Sequence, residues 1–227
     1  MLVIFITFAL LSFFVSNRLK SKFEKYSQVG LSMSGAEVAK RMLQDNGIYD
    51  VTIRPVDGTL TDHYNPTDKT VNLSKDVYYG QSVSAAAVAA HETGHAIQHA
   101  TAYSMLELRT ALVPLQNISS KILNIIFIAM FAGAIFLPNI MPMELALQII
   151  VAAYAIFALF AVVTLPVEIN ASQRAIAWLT GSGIIAGKTR EQARDALKWA
   201  AYTYVVAALS AIATLLYYVM LLVGRRD

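Results

Sequence analysis

Two histidines and a glutamate in the middle of the chain have the types and the spacing that zinc chemistry requires. Residues 91–95 read H-E-T-G-H, so His91 and His95 lie four positions apart. On a helix this spacing puts both imidazoles on one face, where their nitrogens can converge on one tetrahedral zinc ion. Glu92 is rotated by about 100° from His91, so it can accept a proton from a water molecule without binding the metal.

The surroundings of this motif indicate a buried helix. Residues 85–90 read A-A-A-V-A-A, and Ala96 follows the motif. Two solvated histidines on a polar surface would be the simpler interpretation. However, paired histidines beside a carboxylate in an apolar environment need polar partners. A metal ion supplies such a partner, so the sequence favours a zinc site.

A catalytic zinc ion needs a third protein ligand and one position left for water. His99 extends the histidine stripe, but it lies about 12 Å of helix rise from His91, so it cannot join both histidines on one ion. Glu168 is the best candidate, because it follows Pro166 at the end of a long apolar segment, on the predicted side of the histidines. The alternative for Glu168 is an interfacial carboxylate paired with Arg174.

Other potential ligands have competing explanations. Glu107 follows His95 on the same predicted side and stays open as a ligand. Glu191 falls in the first turn of a predicted helix, where an acid stabilises the positive end of the helix dipole. Glu144 falls on the opposite side of the membrane by the predicted topology. His63 lies in a polar, turn-rich stretch that is typical of a surface.

The composition indicates a membrane protein. Of the 227 residues, 56% are apolar and 15% are charged, against about 25% charged residues in a typical soluble domain. These values exclude a disordered chain, a nucleic-acid-binding tail and an ordinary soluble enzyme, so we expect no nucleic-acid partner. The chain has no cysteine, which excludes disulfides, thiolate metal ligands and cysteine nucleophiles.

The apolar residues are concentrated in four segments that can cross a bilayer. The first, residues 1–15, has no charged residue and is followed by basic ones, which fits an uncleaved anchor better than a secretory signal. The second and third, residues 122–137 and 145–165, form a predicted hairpin over residues 122–165. The fourth covers residues 204–223.

Two polar stretches complete a single membrane-embedded domain that we predict over residues 1–227. Residues 16–121 form an α+β insert with the histidine motif, and residues 166–203 form a second helical stretch with Glu168. The expected fold class is therefore a mainly α membrane protein with a small α+β insert and about four transmembrane helices.

The basic residues predict the orientation of the chain. Both polar stretches are rich in lysine and arginine, which favour the cytoplasmic side. We therefore expect a multi-pass protein of the cell membrane, with its site on the cytoplasmic side near the interface. Arg225 and Arg226 conflict with this topology, because four spans would place them outside.

Local signals predict two helices in the insert. Ser34 and Glu37 fit a capping box at the start of one helix, and Gly47 stands where a glycine ends such a helix. Ser82 or Ser84 can cap the long helix that carries the histidines.

Short β-like segments lie between these helices. Val51 and Ile53 alternate with polar residues until Pro55, which ends that strand or confines it to a sheet edge. Leu60 and residues 71–73 could supply further strands, and a strand plus a hairpin is the economical arrangement. Turns are predicted at Asp57-Gly58 and Asn65-Pro66.

Four segments together resemble a known family. They are VAAHETGHAIQ at 88–98, LPVEINAS at 165–172, DHYNP at 62–66 and VNLS at 71–74. In these segments and in its layout over nearly the whole length, the chain resembles the YugP-type family of bacterial membrane zinc metallopeptidases. More remotely it is similar to the HtpX and CAAX-protease group, in which a helix pair supplies H-E-x-x-H and a distant glutamate.

The resemblance implies a zinc peptidase core. One Zn²⁺ per chain would be bound by His91, His95 and Glu168. The resemblance also implies hydrolysis of peptide bonds by a zinc-activated water, with Glu92 as the general base. A peptide or membrane-protein substrate and the lipid bilayer are then the expected partners, and the oligomeric state stays open.

One departure from the pattern concerns the residues around the metal. Many glutamate-liganded zinc peptidases show E-x-x-x-D, whose aspartate orients a zinc-bound histidine, but here that position is Ser172. Asn170 or Ser172 must take this role, or it is unfilled. Candidates for stabilising the oxyanion are His99, Tyr103, Asn170 and Arg174.

Three other functions compete with a surface endopeptidase. A membrane chaperone or scaffold could retain zinc without peptidase activity, and an intramembrane protease would place the motif inside a continuous apolar span. A transporter is disfavoured because the four spans carry almost no ionisable groups. For the endopeptidase, we expect residues 71–73 to present an open strand edge on which an extended substrate pairs.

Overall fold

The computed structural model describes residues 1–135 and 142–224, and these residues are mainly helical. In chain order the elements are α1 (Leu2–Ser27), α2 (Gly35–Asp45), β1 (Thr52–Val56), β2 (His63–Asn65), β3 (Thr70–Ser74), α3 (Lys75–Tyr78), α4 (Val83–Ala100), α5 (Ser104–Ile135), α6 (Met143–Gly181) and α7 (Gly187–Val223). The expected fold class, mainly α with a small sheet, is confirmed. The predicted end of the second span at residue 137 and the final Arg225 and Arg226 lie outside the described residues.

Within the described ranges, four helices are long and apolar enough to cross a membrane. They are Leu2–Ser27, Ser104–Phe131, Met143–Gly181 and Gly187–Val223. The number of candidate spans is as predicted, but α5 begins at Ser104 rather than near residue 122. α6 also continues through Pro166, where we expected a new helix to start. Helices of membrane proteins tolerate an internal proline because neighbouring groups can satisfy the backbone that it disrupts.

The chain divides into two compact units. The first consists of Met1–Ser12, Leu108–Leu165 and Tyr204–Asp227, and the second of Phe13–Glu107 and Pro166–Thr203. The first unit holds most of the apolar segments and has a small core of its own, made of Leu123, Ile126, Ala146, Ile150 and Ala153. The second unit holds residues 16–107 of the first polar stretch and all of the second, residues 166–203. The single domain over residues 1–227 stays a prediction.

Local capping signals decide where the helices of the second unit begin and end. The hydroxyl of Ser34 accepts the N–H of Glu37 at 3.3 Å, and the Glu37 carboxylate accepts the N–H of Ser34 at 2.7 Å, so the predicted capping box is formed. Gly47 follows α2 with a φ of +70°, as expected for a glycine after a helix. Ser82, rather than Ser84, caps α4 by accepting the N–H of Ala85 at 3.3 Å.

The sheet of the second unit has the strand order β1-β3-β2, with β1 parallel and β2 antiparallel to β3. Pro55 lies in the edge strand β1, as predicted. The open edge expected at residues 71–73 is wrong, because this segment belongs to β3, which is buried and paired on both sides. The strand expected at Leu60 is also wrong, since Leu60 has a φ of +57° outside any strand. The remaining strand, β2, pairs antiparallel with β3, so the predicted arrangement of one strand plus a hairpin is found.

Candidate metal centre

Helices α4 and α6 bring two histidines and one glutamate together. His91 and His95 share one face of α4, with ring centroids 4.9 Å apart. Oε2 of Glu168, from α6, lies 3.2 Å from Nε2 of His91 and 3.5 Å from Nε2 of His95. Potential ligand atoms of the three residues all lie within 4.8 Å of one another. The three side chains are buried, with exposed fractions of 8%, 7% and 2%.

These separations fit a single zinc ion. With zinc–ligand distances of about 2.0–2.2 Å, two ligand atoms of a tetrahedral site lie roughly 3.3–3.6 Å apart. Two imidazoles and a carboxylate are also a ligand set of catalytic zinc sites, in which three protein ligands leave a fourth position for water. His91, His95 and Glu168 could therefore hold zinc, and their assignment as ligands stays a prediction.

The close approach of the two helices depends on Gly94. A Cβ atom at this position would lie 2.9 Å from the carbonyl oxygen and 3.2 Å from the Cα of Ala171. Both are backbone atoms that cannot rotate away, so glycine allows the helices to touch there. Since Ala171 is three residues after Glu168 on α6, this contact sets how near the carboxylate comes to the histidines.

A buried glutamine orients the ring of His95. Oε1 of Gln98 lies 2.9 Å from Nδ1 of His95, while Nε2 of Gln98 donates to the carbonyl of Val167 at 2.8 Å and to Oδ1 of Asn170 at 3.0 Å. Because the amide nitrogen is directed to these two acceptors, its oxygen must accept from Nδ1–H of His95. The Nε2 lone pair of His95 is then directed at Glu168 and available to a metal.

Ser172 lies at Nδ1 of His91, as Gln98 lies at Nδ1 of His95. Its Oγ lies 3.1 Å from Nδ1 of His91, so the hydroxyl can accept Nδ1–H and leave Nε2 for a metal. Asn170 contacts Gln98 rather than a histidine. Its Oδ1 accepts from Nε2 of Gln98 and from Nε of Arg174, the latter at 2.7 Å. The two residues named as substitutes for the missing aspartate therefore have different contacts.

Strand β2 fixes the carboxylate of Glu92. Oε2 of Glu92 accepts the backbone N–H of Tyr64 at 3.1 Å, and the side chain is half-buried. Just before β2, the carboxylate of Asp62 accepts the N–H of Ser74 at 2.7 Å and its hydroxyl at 3.1 Å. Burial raises the pKa of Asp62, and the hydrogen bonds from Ser74 oppose this shift. These contacts hold β2 between β3 and the helix that carries the histidines.

His99 lies outside the group of potential ligands, as the spacing argument requires. Its Nδ1 is 2.7 Å from the hydroxyl of Tyr64, and the two rings are 5.8 Å apart. His99 is exposed. Tyr64 therefore makes two contacts, since its backbone N–H binds Glu92 and its hydroxyl contacts His99.

Other sequence candidates are separate from this group. Four of them are exposed in the structure: His63, Glu107, Glu144 and Glu191. Each of them is absent from the one cluster of potential ligands found among residues 1–135 and 142–224. His63 instead places Nδ1 2.8 Å from the carbonyl oxygen of Thr61.

The electrostatics of the cluster favour a positive charge at its centre. Burial opposes charge on His95, but its hydrogen bond and its charge interaction with Glu168 outweigh that penalty and raise the pKa of His95. A buried carboxylate between two imidazoles therefore requires either a proton or a cation, and a divalent metal can supply the charge.

Comparisons with known proteins agree with this geometry. Residues 1–223 match the family described as "Putative neutral zinc metallopeptidase". The chain belongs to this family. It is also 44% identical over 232 residues to the "Putative membrane protease YugP" of Bacillus subtilis (strain 168), covering 100% of this chain and 99% of that relative. The resemblance to the YugP-type family is thus confirmed. No solved structure matches the chain significantly.

Sequence reasoning on this family member missed the roles of Gln98 and Tyr64. Gln98 follows His95 by three residues, a spacing at which two helical side chains meet, so the pattern held a usable signal. Tyr64 had no such signal, since its contact with Glu92 spans 28 residues and depends on how β2 packs against α4.

Proposed function

We propose that this protein is a membrane-bound, zinc-dependent endopeptidase. Zinc would be held by His91, His95 and Glu168, with Glu92 as the general base. The observation that carries the proposal is the buried convergence of the three ligand side chains, with Oε2 of Glu168 at 3.2 and 3.5 Å from the two Nε2 atoms. Membership in a family described as zinc metallopeptidases supports it independently.

Zinc held by these residues would polarise the scissile carbonyl and lower the pKa of water toward about 7. Glu92 stands beside the ligands on α4, where it can take a proton from the attacking water and return it to the leaving nitrogen. The N–H of Tyr64 holds Oε2 of Glu92. No residue of the described ranges is seen bonding Oε1, which is therefore the oxygen available to the water.

The pair of Tyr64 and His99 is the best-supported source of an additional donor for the oxyanion. The Tyr64 hydroxyl lies 2.7 Å from Nδ1 of His99, His99 is exposed, and the backbone N–H of the same tyrosine binds Glu92. By contrast, Asn170 and Arg174 are engaged with Gln98 and with each other. A fixed donor aimed at developing negative charge contributes about 10²–10³ in rate.

The location of the activity is proposed from the spans and the charges. The candidate spans expose large apolar side chains, such as Ile128, Phe131 and Met220, which suits contact with lipid. Both polar stretches are rich in basic residues, which favours the cytoplasmic side. The proposed substrates are peptide segments that reach the membrane surface there, including those of membrane proteins.

Exchanging the proposed base tests the function. Full-length protein in detergent is assayed for zinc content and for cleavage of an unstructured protein such as casein. Glu92→Gln should retain zinc and lose at least about 100-fold in rate, since general-base catalysis contributes about 10²–10⁴. His91→Ala should lose both zinc and cleavage. Glu24→Gln, an exposed carboxylate on α1, is the matched control and should keep both.

Two outcomes would contradict this proposal. Zinc binding without cleavage of any peptide would favour the scaffold alternative. Cleavage by Glu92→Gln at the rate of the unchanged protein would remove the general base from the mechanism.

A further inference from the structure

A groove lies along the part of α6 that follows Glu168, and it adjoins the metal centre at Ser172, which lines the groove and contacts His91. An open groove of about 530 Å³ runs between residues 169–177 of α6 and residues 190–201 of α7, a volume typical of pockets for small-molecule ligands. Arg190, Arg194 and Lys198 line one wall. No acidic residue of the described chain is among the lining residues.

The three cations form a continuous stripe. They follow one another at four-residue intervals, so they share one face of α7 and span about 12 Å along it. All three are exposed, and among the described residues neither arginine side chain has a hydrogen-bond or ion-pair partner. Lys198 contacts the ring of Tyr202, with Nζ 5.5 Å from the ring centroid.

The nearby acid Asp195 is engaged mainly with α1, although its charge also acts on Lys198. Its carboxylate pairs with Lys22 at 2.7 Å and accepts the hydroxyl of Tyr26 at 2.5 Å, both of which belong to α1. The groove therefore keeps a net positive wall, and this wall is complementary to an anion.

The floor of the groove is apolar. Ile169, Ile176 and Leu197 contribute to it, so the ligand that fits best has both an anionic group and a hydrocarbon part. Both walls are helices that continue into apolar segments. The apolar segments predicted from the sequence adjoin the groove, because Tyr204 is about 9 Å of helix beyond Lys198 on α7 and Ile169 is four residues after Leu165 on α6.

We propose that this groove binds an anionic phospholipid, with the phosphate at the arginines and lysine and an acyl chain on the apolar floor. Basic residues next to membrane-entering helices attract anionic lipids by roughly five-fold in affinity for each cation. An acidic peptide fits less well, because helical walls have no free backbone groups with which an extended chain could pair. This inference holds whether or not the protein cleaves peptides.

Native mass spectrometry of the delipidated full-length protein in nonionic detergent tests the proposal. Phosphatidylglycerol and phosphatidylcholine with identical acyl chains are compared. The unchanged protein should bind phosphatidylglycerol at least about ten-fold more tightly. The triple variant Arg190→Gln, Arg194→Gln, Lys198→Gln should bind phosphatidylglycerol on the order of 100-fold more weakly. This follows from a loss of about five-fold in affinity for each cation.

Two further variants control for charge and for folding. Lys40→Gln, Arg41→Gln, Arg54→Gln removes the same charges from exposed positions elsewhere in the second unit and should bind phosphatidylglycerol normally. Arg190→Lys, Arg194→Lys keeps the positive wall and should also bind. Zinc content is measured in every variant, because Ser172 lines the groove and contacts His91, so a damaged metal centre would be detected.

Several results would overturn the proposal. Equal binding of the two lipids, or unchanged phosphatidylglycerol binding by the triple variant, would show that the cations do not select the lipid. Displacement of the lipid by an equal concentration of inorganic phosphate would indicate a phosphate site. Stronger binding of an oligoglutamate peptide than of phosphatidylglycerol would indicate a peptide site.

Discussion

Two residues outside the predicted ligand set, Gln98 and Ser172, orient the two histidine rings. The ring of His95 faces Glu168 with Nε2 because Gln98 accepts at Nδ1, and Ser172 stands at Nδ1 of His91. Both partners are neutral, whereas an aspartate would raise the basicity of a histidine ligand more strongly. The predicted metal site therefore has a buried amide and a hydroxyl beside its two histidines, whereas the E-x-x-x-D pattern would supply an aspartate.

Replacing Gln98 should weaken zinc binding. Gln98→Leu removes the acceptor for His95 and the two amide donors, and the loss of such a partner typically costs 10–100-fold in metal affinity. Competition with a chromophoric chelator measures the zinc affinity. Gln44→Leu, on the exposed side of α2, is the matched control. Equal affinities of the two variants would show that the orientation of His95 does not depend on Gln98.

Removing the hydroxyl of Tyr64 should affect the rate of cleavage but not zinc. Tyr64→Phe keeps the backbone N–H that holds Glu92 and loses only the bond to His99. We expect kcat to fall by about 10²–10³-fold at unchanged zinc content, and addition of His99→Gln should lower it little further. Tyr49→Phe, with Tyr49 80% exposed, is the control. Additive losses would mean that the two side chains act separately.

At the scale of elements, the site is a contact between two helices with a strand beside it. α4 carries the histidines and Glu92, α6 carries Glu168, and β2 holds Glu92 in place through one backbone N–H. The position of the helices relative to each other depends on the backbone contact of Gly94 with Ala171. The distance between Glu168 and the two histidines therefore depends on Gly94, which has no side chain.

Adding a methyl group at Gly94 tests this dependence. Gly94→Ala would place Cβ 2.9 Å from the carbonyl oxygen of Ala171, so the helices must separate. We expect destabilisation by about 1–3 kcal/mol and weaker zinc binding, measured by thermal unfolding in detergent and by metal analysis. Gly181→Ala, at the end of α6 where an added Cβ meets nothing within 4 Å, should leave both unchanged. An unaltered zinc affinity in Gly94→Ala would show that the helix contact does not control the ligands.

For the whole molecule, metal binding should be linked to folding. Zinc that binds only the native protein raises the free energy of unfolding. When the free zinc concentration is a hundred times the dissociation constant, the increase is about 2.7 kcal/mol. A chelator should therefore lower the melting temperature of the full-length protein by several degrees, and added zinc should restore it. His91→Ala should melt at the same temperature with and without chelator. A chelator effect that persists in His91→Ala would indicate another metal site.

Much of this architecture could be predicted from local sequence. The four apolar segments, the capping box at Ser34 and Glu37 and the glycine after α2 depend on composition and short-range hydrogen bonds, and all are found. The spacing of His91 and His95 likewise fixed their shared face, because helical periodicity leaves no alternative. Pro55 lies in an edge strand, which is one of the two arrangements that it allowed, since proline cannot donate to a ladder.

Contacts between distant parts of the chain were decided only by the tertiary structure. The sequence named Glu168 as a candidate, but its distance from the histidines follows from the packing of α4 against α6. Residues 63–65 were predicted as part of a turn-rich stretch and form β2, while the expected open edge at residues 71–73 is the paired centre of the sheet. Strand pairing and helix contact join residues far apart along the chain, and no local pattern encodes which partner each one meets.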